Sequence, residues 1–483
     1  MQRALICALS LFVLSPLGVS AQQSNEEVAA KIDRYIDEAV SLDAFSGTVL
    51  LTKDGRSIYE RAAGEASKSY QIGNNINTRF NIGSVGKVFT ATAIMQLAQS
   101  GKLKLDDTID KYLPEFPYAE KDEITIQQLL NHSAGMGDYF EHPDFYAKKE
   151  ALREISDFLS LVYEMKLVAR PGEEFNYSNS GYVLLGAIIE KVSGQLYRTY
   201  IDENIFEPLE MKVTEIIYIE DIVPNIATGY YPKNADELQQ NILVHGRACP
   251  AGGIFSTVHD LSKFDQGLKT EKILRSEFIE KMFEPSEANP EYGSGWEILD
   301  INGHKVLGHS GGHYGIEAIF YRYVEEGYTI IVLSNYSGGA GHVASAMADI
   351  IFTGESKPVD QARMNAAKCL NLFELGKHEE AFKVIDRNIN RENPHIQSHY
   401  LAARLRIVAG TELEKALELL DKYLELAPDD MIPSKASAWW RKGLALEQMK
   451  DQDKARECYL KSLELDPTSD DAEKSLESLT DGK

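Results

Sequence analysis

Two β-hairpins set far apart in the chain constrain its fold more than any other feature. The first, "AFSGTVLLTKDGRSIYERAAGEAS" from Ala44, alternates apolar and polar positions on both sides of Asp54-Gly55. An Asp-Gly pair between two such runs is a tight hairpin turn. The second, "EAIFYRYVEEGYTIIVLSN" from Glu317, turns at Glu325-Glu326-Gly327. Helical patterns lie between them, including a long one from Ser84 to Gln99 that stops before Gly101. Strands joined by hairpins around a helical middle predict an α+β domain on an antiparallel sheet, over residues 25–355.

Beyond residue 362 the strand patterns vanish. Ala381, Ala416 and Ala455 stand 35 and 39 residues apart, each with a bulky residue four positions on (Ile385, Leu420, Tyr459). Pro394, Pro428 and Pro467 close the three phrases. Small residues let paired helices approach, and proline ends a helix. The period resembles that of the tetratricopeptide repeat, about 34 residues. Trp439 and Gly443 also fit its first helix. An all-α solenoid of about three repeats plus a polar capping helix is expected over 362–480. It is expected to fold apart from the first domain, with "GESKPVDQ" as the linker, and its concave face suits a protein partner.

The N-terminus reads as a targeting segment. Arg3 precedes an apolar run, and Val19-Ser20-Ala21 has the small residues of a cleavage site. Residues 1–21 are therefore expected to be a signal peptide, giving a periplasmic or secreted chain without a transmembrane span. The formal net charge of −24 argues against nucleic acid or anionic lipid as partners. Cys249, Cys369 and Cys458 remain after the signal. An odd count does not describe a disulfide framework, and no cysteine has metal-ligand spacing. Neither metal nor cofactor is expected.

Two serines compete for a nucleophilic role. Gly308-His309-Ser310-Gly311-Gly312 spells G-x-S-x-G, the letters of an α/β-hydrolase elbow. That elbow needs a helix after the serine, but the sequence after Gly315 is β-patterned. Ser84 and Lys87 form the chain's single S-x-x-K. Residues three apart on a helix share a face, which sets the Lys87 amine beside the Ser84 hydroxyl. A hydroxyl becomes a good nucleophile only when a neighbour takes its proton. Tyr177-Ser178-Asn179 is the single Y-x-N, in a polar loop before a helix expected from about Gly181. Its tyrosine suits proton transfer, and the Asn179 amide suits a substrate amide. His309-Ser310-Gly311 is expected to edge the same pocket, with the Ser310 hydroxyl at its border. The N–H groups of Gly312 and Ser84 would stabilise an oxyanion. His132 and His245 read as structural, remote from these motifs.

The order S-x-x-K, Y-x-N, then basic residue-Ser-Gly resembles the serine β-lactamase-like family: class C β-lactamases, D-alanyl-D-alanine carboxypeptidases and family VIII esterases. "TIQQLLNHSAGMGDY", "PLEMKVT" and "PAGGIFSTVHDLSKF" extend the likeness over nearly all of residues 25–355, with Ala134 where a serine is usual. The resemblance implies an antiparallel sheet covered by helices, plus a helical subdomain. It implies Ser84 as nucleophile, Lys87 and Tyr177 as the acid/base pair, and no metal. Asn179, His309, Ser310 and Gly312 would contact the substrate, a small D-amino-acid peptide, ester or β-lactam. Two features depart from the pattern. His309 stands where class C enzymes carry lysine, and the repeats have no counterpart in a β-lactamase. A non-catalytic muropeptide- or ligand-binding protein that recruits a partner through its repeats is the alternative.

Overall fold

The computed structural model describes residues 24–148, 151–218, 220–241 and 249–481. The expected signal peptide and His245 lie outside them.

Six strands form one antiparallel sheet. They are β1 (Gly47–Lys53), β2 (Arg56–Ala63), β3 (Glu297–Ile301), β4 (His304–His313), β5 (Ile316–Tyr323) and β6 (Tyr328–Ser334). The order is β3-β4-β5-β6-β1-β2, so the two ends of the domain meet where β1 pairs with β6. Asp54 and Gly55, which turn β1 into β2, both take positive φ. That is the backbone a two-residue hairpin needs to follow the strand twist.

Successive side chains along a strand point to opposite faces, and here both faces are covered. Leu50, Ala318, Phe320, Ile331 and Leu333 enter a large core with α2 (Lys87–Gln99) and α3 (Asn179–Ser193). Their neighbours Val49, Leu51, Ile319, Ile330 and Val332 enter a second core with α1 (Asn25–Ser41) and α4 (Ala340–Thr353). Helix α2 is apolar on nearly every side, as its buried run from Lys87 to Met95 requires. The α+β architecture of an antiparallel sheet flanked by helices is therefore as the sequence implies.

The C-terminal part is all helical. It runs α5 (Gln361–Glu374), α6 (His378–Ile389), α7 (Ile396–Ala409), α8 (Leu413–Leu426), α9 (Lys435–Gln448), α10 (Gln452–Leu465) and the polar α11 (Asp470–Asp481). Ala381, Ala416 and Ala455 are fully buried where the helices of each pair meet. At Gly443 a Cβ would lie 2.3 Å from the Tyr459 ring, so α9 and α10 can approach only over a glycine. All three described cysteines are buried. Burial pushes the Cys369 thiol up to about 12 and the Cys458 thiol up to about 11, which keeps both unreactive.

The repeats, expected to fold apart, are docked against the first domain. A hairpin formed by Gly229–Pro232 and Leu238–Asn241 reaches from the first domain onto the repeats. Its Ala235 is buried in the core of α5 to α8. The Ala235 N–H donates to Glu380 (2.9 Å), Arg387 donates to Asp236 (2.9 and 3.2 Å), and Lys377 donates to the Lys233 carbonyl (2.7 Å). The linker itself does not reveal this; what joins the two parts is the distant hairpin, which carries no local signal of docking.

Candidate active site

Residues Gly83–Gly86 form a 3₁₀ turn that leads directly into α2. This turn presents Ser84, and Lys87 is the first residue of the helix. Lys87 is wholly buried, and its ammonium nitrogen has three partners. They are Ser84 Oγ at 3.2 Å, Asn179 Oδ1 at 2.7 Å and the Ala251 carbonyl at 2.8 Å. A lysine nitrogen offers three donor positions. Two are fixed by Asn179 and Ala251, so the third points at Ser84 alone.

Helix α3 begins at Asn179, two residues before the position the sequence suggests, because Ser178 caps it by accepting from the Gly181 N–H at 3.3 Å. Asp138, which the motifs do not reveal, accepts from the Asn179 side-chain amide at 2.7 Å and from its backbone N–H at 3.0 Å. Both ends of the Asn179 amide are thus engaged, one by Lys87 and one by Asp138. The Tyr177 ring lies with its centroid 4.8 Å from Lys87 Nζ, and it packs against His132 with centroids 4.2 Å apart and the planes tilted by 35°. Its phenol makes no hydrogen bond among the described residues, and the side chain faces the cavity.

Strand β4 runs past the Ser84 turn. A Cβ on Gly311 would fall 2.2 Å from the Ile82 carbonyl oxygen and 2.9 Å from the Ser84 nitrogen. Only glycine lets the two backbones lie this close. Gly312 follows, 3.1 Å from the Cβ position of Gly83, so its backbone nitrogen and that of Ser84 border the same space.

The strand's alternation separates His309 from Ser310. His309 pairs with Phe320 and faces the α2 side of the sheet, whereas Ser310 pairs with Ile319 on the other face. The Ser310 hydroxyl, expected at the border of the pocket, donates to Glu297 at 2.7 Å and does not line the cavity. His309 is buried and bonded within the protein. Ser178 N–H donates to His132 Nδ1 (3.1 Å), which leaves His132 Nε2–H to donate to the Tyr292 oxygen (3.2 Å). Tyr292 O–H then donates to His309 Nε2 (2.9 Å), and His309 Nδ1–H donates to the Ser310 carbonyl (2.5 Å). With both imidazoles neutral, every donor in this chain has an acceptor. Burial, with the Lys87 charge nearby, holds both rings below the usual histidine range. His309, where class C enzymes carry lysine, is read as a neutral ring, and His132 lies against Tyr177 rather than remote from the motifs.

Ser84, Tyr177, Asn179 and Gly312 line one cavity of about 720 Å³. Tyr139, Phe140, Phe145 and Phe158 form an aromatic wall, and Asn371, Glu374 and Leu375 of the first repeat contribute another. Sequence spacing gives no hint of this last wall, because it comes from the other domain. Among the described residues no group of three His, Cys, Asp or Glu side chains is placed to hold a metal ion. No described helix is long and apolar enough to cross a membrane.

Residues 32–352 match the Beta-lactamase family model, two thirds of the chain, with strands, Ser84 turn and β4 all inside the matched span. The chain belongs to the beta-lactamase family of serine hydrolases. Residues 436–469 match a Tetratricopeptide repeat model and correspond to α9 and α10. Penicillin-binding protein 4* of Bacillus subtilis (strain 168) is 30% identical over 429 residues, covering 83% of this chain and 89% of the relative. The octameric penicillin-binding protein homologue from Pyrococcus abyssi superposes with a TM-score of 0.61 at 29% identity, covering 68% of this chain and 78% of that one. D-amino acid amidase from Ochrobactrum anthropi SV3 shares the fold, with a TM-score of 0.59 at 22% identity over 68% of this chain and 99% of its own.

Proposed function

We propose that the chain is an exported serine hydrolase acting by acyl-enzyme transfer on D-amino-acid peptides, small esters or β-lactams, in falling order of preference. The observation that carries this reading is the buried Lys87 nitrogen, whose one uncommitted position points at Ser84 Oγ. In its amine form Lys87 takes the Ser84 proton as Oγ attacks the substrate carbonyl. The backbone N–H groups of Ser84 and Gly312 border the place where the oxyanion develops. Tyr177, its ring over Lys87 and its phenol open to the cavity, passes the proton to the leaving group. Water then attacks the acyl-enzyme while the same groups work in reverse, and Ser84 regains its proton. Asn179, held by Asp138, keeps the Lys87 amine aimed.

The neutral, internally bonded His309 supports placing β-lactams last. It offers no fixed cation to a substrate carboxylate where class C enzymes carry lysine. The similarity to a penicillin-binding protein keeps β-lactams among the candidates. The repeats suit a protein partner. Purified protein assayed on nitrocefin, p-nitrophenyl esters and D-Ala-D-Ala peptides should turn over the peptides or esters. Ser84→Ala should lower kcat by a factor on the order of 10⁴ or more. A fluorophosphonate should label the peptide containing Ser84. Label on the peptide containing Ser310, with Ser84→Ala still active, would overturn the assignment.

A further inference from the structure

The first repeat helix has two working faces. Cys369 and Leu372 are fully buried in the repeat core, beside Ala381 and Ile385. The opposite stripe serves the first domain. Met364 packs on the core beneath α1 and α4, and Ala367 lies 3.3 Å from where Gly338 would carry a Cβ. Asn371 and Leu375 come next on the same stripe, three to four residues apart as helical neighbours must be, with Glu374 beside them. These last three line the cavity that holds Ser84. The docked hairpin at Ala235 and the ion pair of Arg387 with Asp236 hold the helix there.

The charge of the cavity's described lining is one-sided. Its described lining contains no lysine or arginine but has two carboxylates, Glu317 and Glu374. Glu317 is already engaged, accepting from the Ala340 N–H at 2.5 Å at the start of α4. Glu374 is exposed to the cavity and makes no hydrogen bond or ion pair among the described residues.

We propose that α5 is a specificity wall of the catalytic cavity, with Glu374 selecting substrates that carry a cationic group, such as a free ammonium, remote from the scissile carbonyl. The proposal rests on the hydrolase reading for the identity of the reaction, but its recognition step can be measured without turnover. The ligands are p-nitrophenyl esters of ω-aminoalkanoic acids of increasing chain length, with their N-acetylated and ω-carboxylate counterparts. Their dissociation constants are measured on full-length Ser84→Ala protein and on the same protein with Glu374→Gln or Glu374→Lys.

At the chain length that reaches α5, the ammonium ester should bind more tightly than its acetylated match. Glu374→Gln should shrink that ratio about two- to fivefold, the range for an exposed charge pair. Glu374→Lys should turn the preference toward the carboxylate ester, and added salt should weaken the ammonium preference only while Glu374 is present. An ammonium-to-acetyl ratio unchanged by both substitutions at every chain length would overturn the proposal. Turnover of the same esters by protein with Ser84 intact separately tests the hydrolase reading. Its absence would remove the reaction while leaving the binding ratios to decide the role of Glu374.

Discussion

His309 stands in the third motif, where class C enzymes carry a lysine cation. The structure makes it a hydrogen-bond relay instead. His309 and His132 are linked through Tyr292, and the chain closes with both rings neutral. The groups facing them set the balance: Lys87 opposes protonation of both, and Glu297, 3.6 Å from His309 Nδ1, favours it at His309 alone. Burial outweighs Glu297. In the unfolded chain the same rings take up protons near the ordinary value of about 6.5. Below that pH the unfolded state binds more protons than the fold, so stability falls as the pH drops. The decline continues until the buried rings themselves protonate. Thermal unfolding midpoints followed downward from neutral pH should therefore decrease, and His309→Gln should make the decrease shallower. Equal slopes for the two proteins would count against a neutral His309.

At the scale of elements, β4 explains why the seven expected site residues do not share one fate. Ser84, Lys87 and Asn179 meet because two helix starts and the Ala251 carbonyl converge on one lysine nitrogen. The S-x-x-K spacing made the first contact legible, since three residues on a helix always share a face. Ser310 was misplaced because a strand alternates, and its register against Ile319 cannot be read from the motif's five letters. Asp138 was invisible because a lone loop aspartate has no pattern; its role exists only through Asn179. The glycine between His309-Ser310 and Gly312 carries a sharper consequence. Gly311→Ala would bring a Cβ against the Ile82 carbonyl and the Ser84 nitrogen, both backbone atoms that cannot swing away. Strand β4 must then move off the Ser84 turn. The expected cost is about 1–3 kcal/mol of stability from overpacking and a fall in kcat of about 10²-fold or more from a displaced oxyanion donor. Chemical denaturation and steady-state kinetics measure the two separately. A variant with native kcat would show that the two backbones are not coupled.

For the whole molecule, the fold class and the repeats were legible because hydrophobic period and hairpin turns are local signals. The union of the two parts was not, because Ala235 and α5 meet across some 130 residues of intervening chain. A chain shortened at Lys357 separates the contributions of the parts. Ser84, Lys87, Tyr177, Asn179 and Gly312 all precede that point, and so do all six strands of the sheet. Lost are the wall of Asn371, Glu374 and Leu375 and the cover over Ala235. Hydrolysis of an acetyl ester, too small to need the far wall, should keep kcat within about an order of magnitude of the full chain, since no group of the proposed acyl transfer is removed. Longer acyl groups should show a raised KM, because binding surface is lost without touching the reacting atoms. The newly exposed face at Ala235 should lower the thermal midpoint. A shortened chain that unfolds like the full one yet loses acetyl-ester turnover would mean that the repeats hold the Ser84–Lys87 geometry itself, not only the far side of the cavity.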